Sequence, residues 1–354
     1  MIPISGALVD RLCPRSAEVV MHFAFDDQID SQGDAVEEVL HSGEVPQLDP
    51  SRPLLFCGIG TSLHACRVAA YWTSEVSGGR LRPAAVEAHE LALHGDIRPE
   101  DQIVVVSHRG TKRFPLAVLG RARIAGARTV TVTGHGAVNP GGDVILRTCA
   151  DETASTHTVS YLTALMMLGR VVQRMLGQQA HAFGQALSTV PESIRTTLAL
   201  PPPTELPRRL INREPILITG YGIDEVTAAE AALKVKEGAY LWAEGMSEEL
   251  ALHGTPAVFD PRAAAVVIYP GQDDGGRADQ LIKLLAELGL EIITCGPDSH
   301  DLPFTRVDYL MRPFVAIIPF QRLVAELARG RGSNPDLTRG DVEPWSSAIS
   351  RVLL

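Results

Sequence analysis

Leu54-Leu55-Phe56-Cys57-Gly58-Ile59-Gly60 returns 162 positions later as Ile216-Leu217-Ile218-Thr219-Gly220-Tyr221-Gly222. Both copies are short apolar runs rich in strand-forming residues that end in a glycine turn, the pattern of a parallel strand buried on both faces. Two further pairs keep the same offset: Val104-Val105-Val106 with Val266-Val267-Ile268, and Val130-Thr131-Val132-Thr133-Gly134 with Ile292-Ile293-Thr294-Cys295-Gly296. Helical stretches such as Ala117 to Ile124 and Ala278 to Leu288 lie between them. Strands alternating with helices predict an α/β chain with one doubly wound parallel sheet per half, helices covering both faces. A fourth echo is literal: Glu90-Leu91-Ala92-Leu93-His94-Gly95 recurs as Glu249-Leu250-Ala251-Leu252-His253-Gly254, here 159 positions on.

This duplication sets the expected domains. Pro201-Pro202-Pro203, followed by Pro207, cannot continue a helix and parts the halves. The division is therefore residues 1–50 as a helical extension, 51–200 as the first domain, and 201–354 as the second with a C-terminal tail. Ser16 to Leu40 reads as a helix in that extension, suited to packing on the body or to a dimer arm.

Composition narrows the function. Lys and Arg number 32 against 42 Asp and Glu, so the formal charge is −10, and no basic tract is present to bind a phosphate backbone. The most apolar helical stretch, Tyr161 to Val172, is interrupted by Arg170 and is shorter than the ~20 residues a membrane span needs. Five scattered cysteines form no Cys-x-x-Cys pair, and there is no charged-then-apolar leader at Met1. The expectation is a reduced, cytoplasmic protein with buried thiols. Neither these cysteines nor the 11 histidines show a ligand spacing, so no metal is expected.

In open parallel sheets ligands bind at the carboxyl ends of the strands, near the point where strand order reverses. Three turns of the first half fall there. Gly58-Ile59-Gly60-Thr61-Ser62 allows close backbone approach and opens a helix whose N–H groups favour an anion. Ser107-His108-Arg109-Gly110-Thr111-Lys112 adds two cations to two hydroxyls, and Thr153-Ala154-Ser155-Thr156-His157-Thr158 is dense in hydroxyls. The dinucleotide fingerprint fails, with Leu63 at its sixth position and Glu225 in the second copy, so no cofactor is expected. A small phosphorylated ligand suits these turns better than a nucleotide.

Only four of the basic residues are lysine: Lys112, Lys234, Lys236 and Lys283. Two of them fall in Glu230-Ala231-Ala232-Leu233-Lys234-Val235-Lys236-Glu237, where helical spacing puts Glu230, Lys234 and Glu237 on one face with Lys236 turned away. That face is either a solvated salt-bridge ladder or a reaction centre. His253-Gly254, sixteen residues beyond Glu237, could bring an imidazole to the same ligand.

The Glu230–Glu237 segment, His253-Gly254, Gly60-Thr61-Ser62 and the Ser107 loop together resemble the double sugar-isomerase (SIS) domain family, in particular the isomerase half of glucosamine-6-phosphate synthase. The resemblance covers the chain from about Ser51 to Leu354. It implies two flavodoxin-like SIS domains, a homodimer, and a hexose or amino-sugar phosphate as ligand. It also implies Glu237 as the proton shuttle between C1 and C2, Lys234 as the group assisting at the carbonyl, and His253 as the ring opener, often from the neighbouring subunit. Gly60, Thr61, Ser62, Ser107, Arg109 and Ser155 match positions lining the sugar-phosphate pocket; His108, Thr111, Lys112 and Thr153 complete the binding candidates from the same turns.

The chain also departs from that pattern. The family loop Ser-Gln-Ser-Gly-Glu-Thr is rewritten from Ser107 to Lys112, exchanging hydroxyls for cations. No lysine follows Lys283, so the closing lysine of the synthase is missing or replaced by Arg339 within Asn334 to Asp341. Ile2 stands where a glutaminase would carry its nucleophilic cysteine, and only ~50 residues precede the first sheet, so glutamine-derived ammonia is not expected from this chain. His94 repeats His253 without a Lys-Glu helix before it, which suits a structural or gating role. The expected activity is isomerisation of an aldose–ketose or amino-sugar phosphate. Deamination, deglycation or ammonia-dependent amination of an amino-sugar phosphate are alternatives within the enzyme class, and a non-catalytic sugar-phosphate sensor is the alternative outside it.

Overall fold

A computed structural model of the chain describes residues 21–352. The first sheet holds β1 (Leu54–Gly58), β2 (Ala84–Glu87), β3 (Gln102–Val106), β4 (Arg128–Thr133) and β5 (Val144–Arg147), all parallel in the order β2-β1-β3-β4-β5. The second holds β6 (Ile216–Gly220), β7 (Ala243–Ser247), β8 (Ala264–Ile268), β9 (Glu291–Pro297) and β10 (Leu302–Phe304) in the matching order β7-β6-β8-β9-β10. This is the flavodoxin order, which reverses between the first and third strands of each sheet, so each half has a ligand crevice there in principle. The repeat offset holds for the first and third strands, where Leu54 pairs with Gln102 and Ile216 with Ala264. It slips by one at the fourth: Val104 faces Val130, whereas Val266 faces Ile293. The added residue enters before Gly289, the left-handed counterpart of Gly126.

The helices of the first half are α1 (Ala24–Leu40), α2 (Thr61–Val76), α3 (Ala88–Leu93), α4 (Arg113–Ala125), α5 (Val159–Leu176), α6 (His181–Ser188) and α7 (Val190–Leu198). The second half adds α8 (Leu206–Leu210), α9 (Ile223–Lys234), α10 (Glu248–Leu252), α11 (Arg277–Glu287), α12 (Arg312–Ala316), α13 (Ile318–Arg331) and α14 (Trp345–Ser350). Pro201 to Pro203 lie between α7 and α8. Within the described residues, the expected helix Ser16 to Leu40 begins at Ala24, because Phe23 is extended and the carboxylate of Asp336 accepts from the Ala24 and Phe25 N–H groups. Its portion before Met21, with Cys13, lies outside the described residues.

Alternate side chains of each strand enter different layers. Cys57, Ile103 and Val105 pack outward on α3 and α4, while Leu217, Ala265 and Val267 pack outward on α10 and α11. The opposite faces do not form two separate cores. Phe56, Val104 and Val130 from one sheet and Ile218, Val266 and Ile293 from the other join one cluster with α1, α2, α5, α9, α12 and α13. Trp72 shows why the halves stay together: it stacks on Phe314 at 5.7 Å, donates its indole N–H to Leu310 O at 2.7 Å, and is wholly buried. Removing so large an aromatic from water on one half requires the other half as its cover. Four cysteines, Cys57, Cys66, Cys149 and Cys295, are buried and unpaired. Among the described residues no helix is long and apolar enough to cross a membrane.

Candidate active site

The first sheet's carboxyl end is built around Gly60. It holds φ +55° and ψ −129°, a conformation that only glycine adopts without strain, and it turns the chain from β1 into α2. An added Cβ at Gly60 would meet nothing closer than Leu233 at 3.9 Å, so this turn is open. One residue on, Thr61 reaches across to the second half. Its hydroxyl donates to Glu230 Oε1 at 3.0 Å and accepts from Lys234 Nζ at 3.1 Å. Lys234 Nζ also lies 2.6 Å from Glu237 Oε2 and 3.4 Å from Glu230 Oε1. The solvated ladder is thereby ruled out, since Lys234 and Glu230 are buried and only Glu237 retains a partly exposed carboxylate.

A buried ammonium between two carboxylates is tolerable only because it is paired. Burial works against the charge of Lys234, but Glu230 and Glu237 outweigh it and hold the ammonium above the ordinary lysine range. Burial likewise opposes the Glu230 carboxylate, and Lys234 with the His64 hydrogen bond holds it below its ordinary range. That His64 contact, Nδ1 to Glu230 Oε2 at 2.6 Å, was not legible in the sequence, because the partners lie on helices of different halves. The helix changes pitch at this point. Val235–Ala239 forms a π-turn after α9, ended by Tyr240 in a left-handed conformation at φ +56°. Such widened turns recur at functional sites because they re-aim a side chain, here Glu237.

The third turn is organised by a residue that the sequence reading passed over. Glu152 is buried, and its carboxylate accepts from the N–H groups of Thr158 (2.7 Å), Val159 (2.8 Å) and Ser160 (3.2 Å), capping the start of α5. The Ser160 hydroxyl, the Thr158 hydroxyl at 3.1 Å, Gln28 Nε2 at 2.8 Å and His157 Nδ1 at 3.0 Å also bond to it. Burial alone would raise this carboxyl, but the hydrogen bonds from His157, Ser160 and the Thr158 N–H bring it down to about 2. Its charge also supports the Lys234 ammonium. An acid beside a hydroxyl-rich helix start was the available signal.

The remaining candidates are placed as follows. Ser62 and Thr61 are half-buried at the α2 start, and Ser107 is buried with its hydroxyl unpartnered. His108 is nearly enclosed, and burial lowers its imidazole pKa. Arg109 and Thr111 are exposed; Lys112 is half-buried, its ammonium pKa lowered by burial and by Arg109. Thr153 donates to Gln28 Oε1 at 3.2 Å. Ser155 N and Thr156 N donate to Asp336 O (2.8 Å) and Pro335 O (3.1 Å), which brings the C-terminal loop onto this turn.

Two further candidates stand outside the Lys234 hydrogen-bond network. His253 caps the C-terminal end of α10 in an exposed loop, as His94 caps α3, and no hydrogen bond joins its imidazole to Lys234 or Glu237. The Arg339 guanidinium lies over the rings of Tyr240 (4.6 Å) and Trp345 (3.9 Å), and the Arg339 backbone N–H donates to the Tyr240 hydroxyl. The fold also gathers His108, Glu152 and His157 from two loops, a proximity that spacing along the sequence does not show.

No family model matches the chain. The glutamine–fructose-6-phosphate aminotransferase (isomerizing) of Streptomyces coelicolor is 28% identical over 312 residues, covering 79% of this chain and 49% of that protein. The C-terminal domain of glucosamine-fructose-6-phosphate aminotransferase from Francisella tularensis superposes with a TM-score of 0.77 at 18% identity, covering 91% of this chain and all of that one. The fold is that of the phosphosugar isomerases. Glucosamine-6-phosphate deaminase from Thermotoga maritima shares it, with a TM-score of 0.71 at 20% identity over 89% of this chain and 97% of its own. The chain is homologous to the isomerase part of these aminotransferases and spans about half the length of the curated relatives it matches.

Proposed function

We propose that the chain is an SIS-type isomerase of a sugar or amino-sugar phosphate, moving a proton between C1 and C2. The observation that carries this reading is the buried Lys234 ammonium, held between Glu230 and Glu237 beside the open Gly60 turn. Exchange between aldose and ketose removes a proton alpha to a carbonyl and returns it to the neighbouring carbon, which calls for one carboxylate with access to both carbons. Glu237 is the partly exposed carboxylate of the cluster and takes this role. The enediolate formed on the way gathers charge on oxygen, and the Lys234 ammonium stabilises it. Thr61, Ser62 and Ser107, with Arg109 and Lys112, receive the phosphate and hydroxyls. Ring opening moves a proton between the anomeric hydroxyl and the ring oxygen near neutrality, a task for histidine. His253 is exposed and makes no hydrogen bond to Lys234 or Glu237 in one chain, so in this reading it acts across a homodimer.

Glu237→Gln keeps the size of the side chain and a hydrogen bond to Lys234 but removes the base. Solvent deuterium exchange at C2 of a bound hexose or hexosamine 6-phosphate is expected to fall about 10²–10⁴-fold, with binding retained in a thermal-shift titration. Exchange at the wild-type rate would overturn the assignment of Glu237. The names of the relatives favour amino-sugar phosphates among possible substrates, and release of free ammonia from glucosamine 6-phosphate would redirect the reading to deamination.

A further inference from the structure

His108, Glu152 and His157 are not needed for proton transfer between C1 and C2, yet each offers a ligand atom, and these atoms lie within 4.8 Å of one another. His108 comes from the loop after β3, and the other two from the loop before α5. His108 poses the problem most sharply: both ring nitrogens are buried and neither has a hydrogen-bond partner. A buried polar atom left unpaired is unfavourable, so two on one ring call for a ligand. The backbone makes room for this imidazole, since an added Cβ at Gly134 would stand 2.7 Å from its Cε1. On the other side, Asp151 Oδ1 lies 4.0 Å from His108 Nε2. That gap is too long for a hydrogen bond, and it would narrow to about 3.3–3.5 Å if both atoms bound one tetrahedral ion.

We propose that His108, Glu152 and His157 hold a divalent first-row transition ion of the zinc type, with Asp151 or water completing the shell. Two imidazoles and a carboxylate are the donor set that such ions select over magnesium or calcium. Ligands of a tetrahedral site lie about 3.3–3.5 Å apart, so atoms up to 4.8 Å apart draw in by at most about 1.5 Å on loading. Glu152 is already oriented by the N–H groups of α5 and by Gln28, the kind of outer support that fixes ligating carboxylates. The site is tested by metal binding and not by isomerisation, so it stands or falls apart from the isomerase reading, while Glu152 also lends its charge to the Lys234 ammonium.

The test titrates chelator-treated full-length protein with Co2+, then displaces it with Zn2+. One equivalent of Co2+ is expected to give visible d–d absorption that Zn2+ abolishes, and Zn2+ is expected to raise the thermal midpoint. His108→Gln and His157→Gln should each weaken binding at least about tenfold, while His22→Ala, which alters the exposed His22–Asp27 pair, leaves it unchanged. Should His108→Gln fail to fold by circular dichroism, His157→Gln carries the same comparison. Absence of a stoichiometric spectrum, or one that persists in His157→Gln or disappears in His22→Ala, would overturn the proposal.

Discussion

The carboxyl ends of the two sheets share a backbone and little else. Gly60 and Gly222 adopt nearly the same conformation, φ +55° with ψ −129° and φ +60° with ψ −121°. Beyond Gly60 the chain places Thr61 and Ser62; beyond Gly222 it places Ile223 and Asp224. The loop after β3 is Ser107-His108-Arg109-Gly110-Thr111-Lys112, and its counterpart after β8 is Tyr269-Pro270-Gly271-Gln272-Asp273-Asp274. In the second half the protein itself fills the crevice. Tyr309 accepts from the Ile223 N–H at 2.9 Å, and Arg312 pairs with the buried Asp224 at 2.8 Å while donating to Tyr269 O at 2.7 Å. The lesson is that a duplicated sheet offers two crevices, and side chains decide which one stays open. The closed one became internal support for α9, which carries Lys234 to the other.

If this contrast is right, the two buried ion pairs should behave differently. Lys234→Met and Arg312→Met each strand a buried carboxylate and should cost about 3–5 kcal/mol in equilibrium urea unfolding. Only Lys234→Met should also abolish the thermal-shift response to sugar phosphates; equal loss in both variants would break the comparison. Next in size is the response to pH. Glu152 has a folded pKa of about 2 against an ordinary 4.5, so its contribution is complete above pH 4.5 and is lost as pH falls toward 2, about 3 kcal/mol in all. Glu248, in the second half, is pushed up to about 8 by burial and by Asp274. There the folded state binds the extra proton between 4.5 and 8, so stability declines as pH rises through that window. Melting curves from about pH 3 to about pH 9 should show Glu152→Gln flattening the acid limb and Glu248→Gln the alkaline decline. The smallest effect concerns the two glycines. Gly60→Ala and Gly222→Ala both force a strained backbone, at about 1–3 kcal/mol. Gly222→Ala should cost about 1 kcal/mol more, because its Cβ would sit 2.1 Å from the Tyr309 hydroxyl and displace that hydrogen bond. Equal losses would mean that Tyr309 does not plug the second crevice.

Much of the fold was legible because buried parallel strands write themselves as apolar runs, and a repeat writes them twice. The one-residue slip at β9 was hidden, since register is set by pairing across the sheet and not by spacing along the chain. In the site, Lys234 and Glu237 could be read because they share a helix. His64 with Glu230, and His108 with Glu152 and His157, could not, because their proximity exists only after distant segments pack. The helix start at Ala24 was misjudged for the same reason: its capping carboxylate belongs to Asp336, 312 positions away.

That distant cap carries a consequence for biosynthesis. Asp336 ties down the start of α1 with its side chain and holds Ser155 with its carbonyl, so two earlier segments wait for a residue translated much later. Strands of the first sheet can pair while the ribosome is still working, but the pocket cannot set until Asp336 has emerged. Nascent chains stalled before that residue should hold a formed sheet beside an unfinished pocket, with closing delayed by a contact of very high sequence separation.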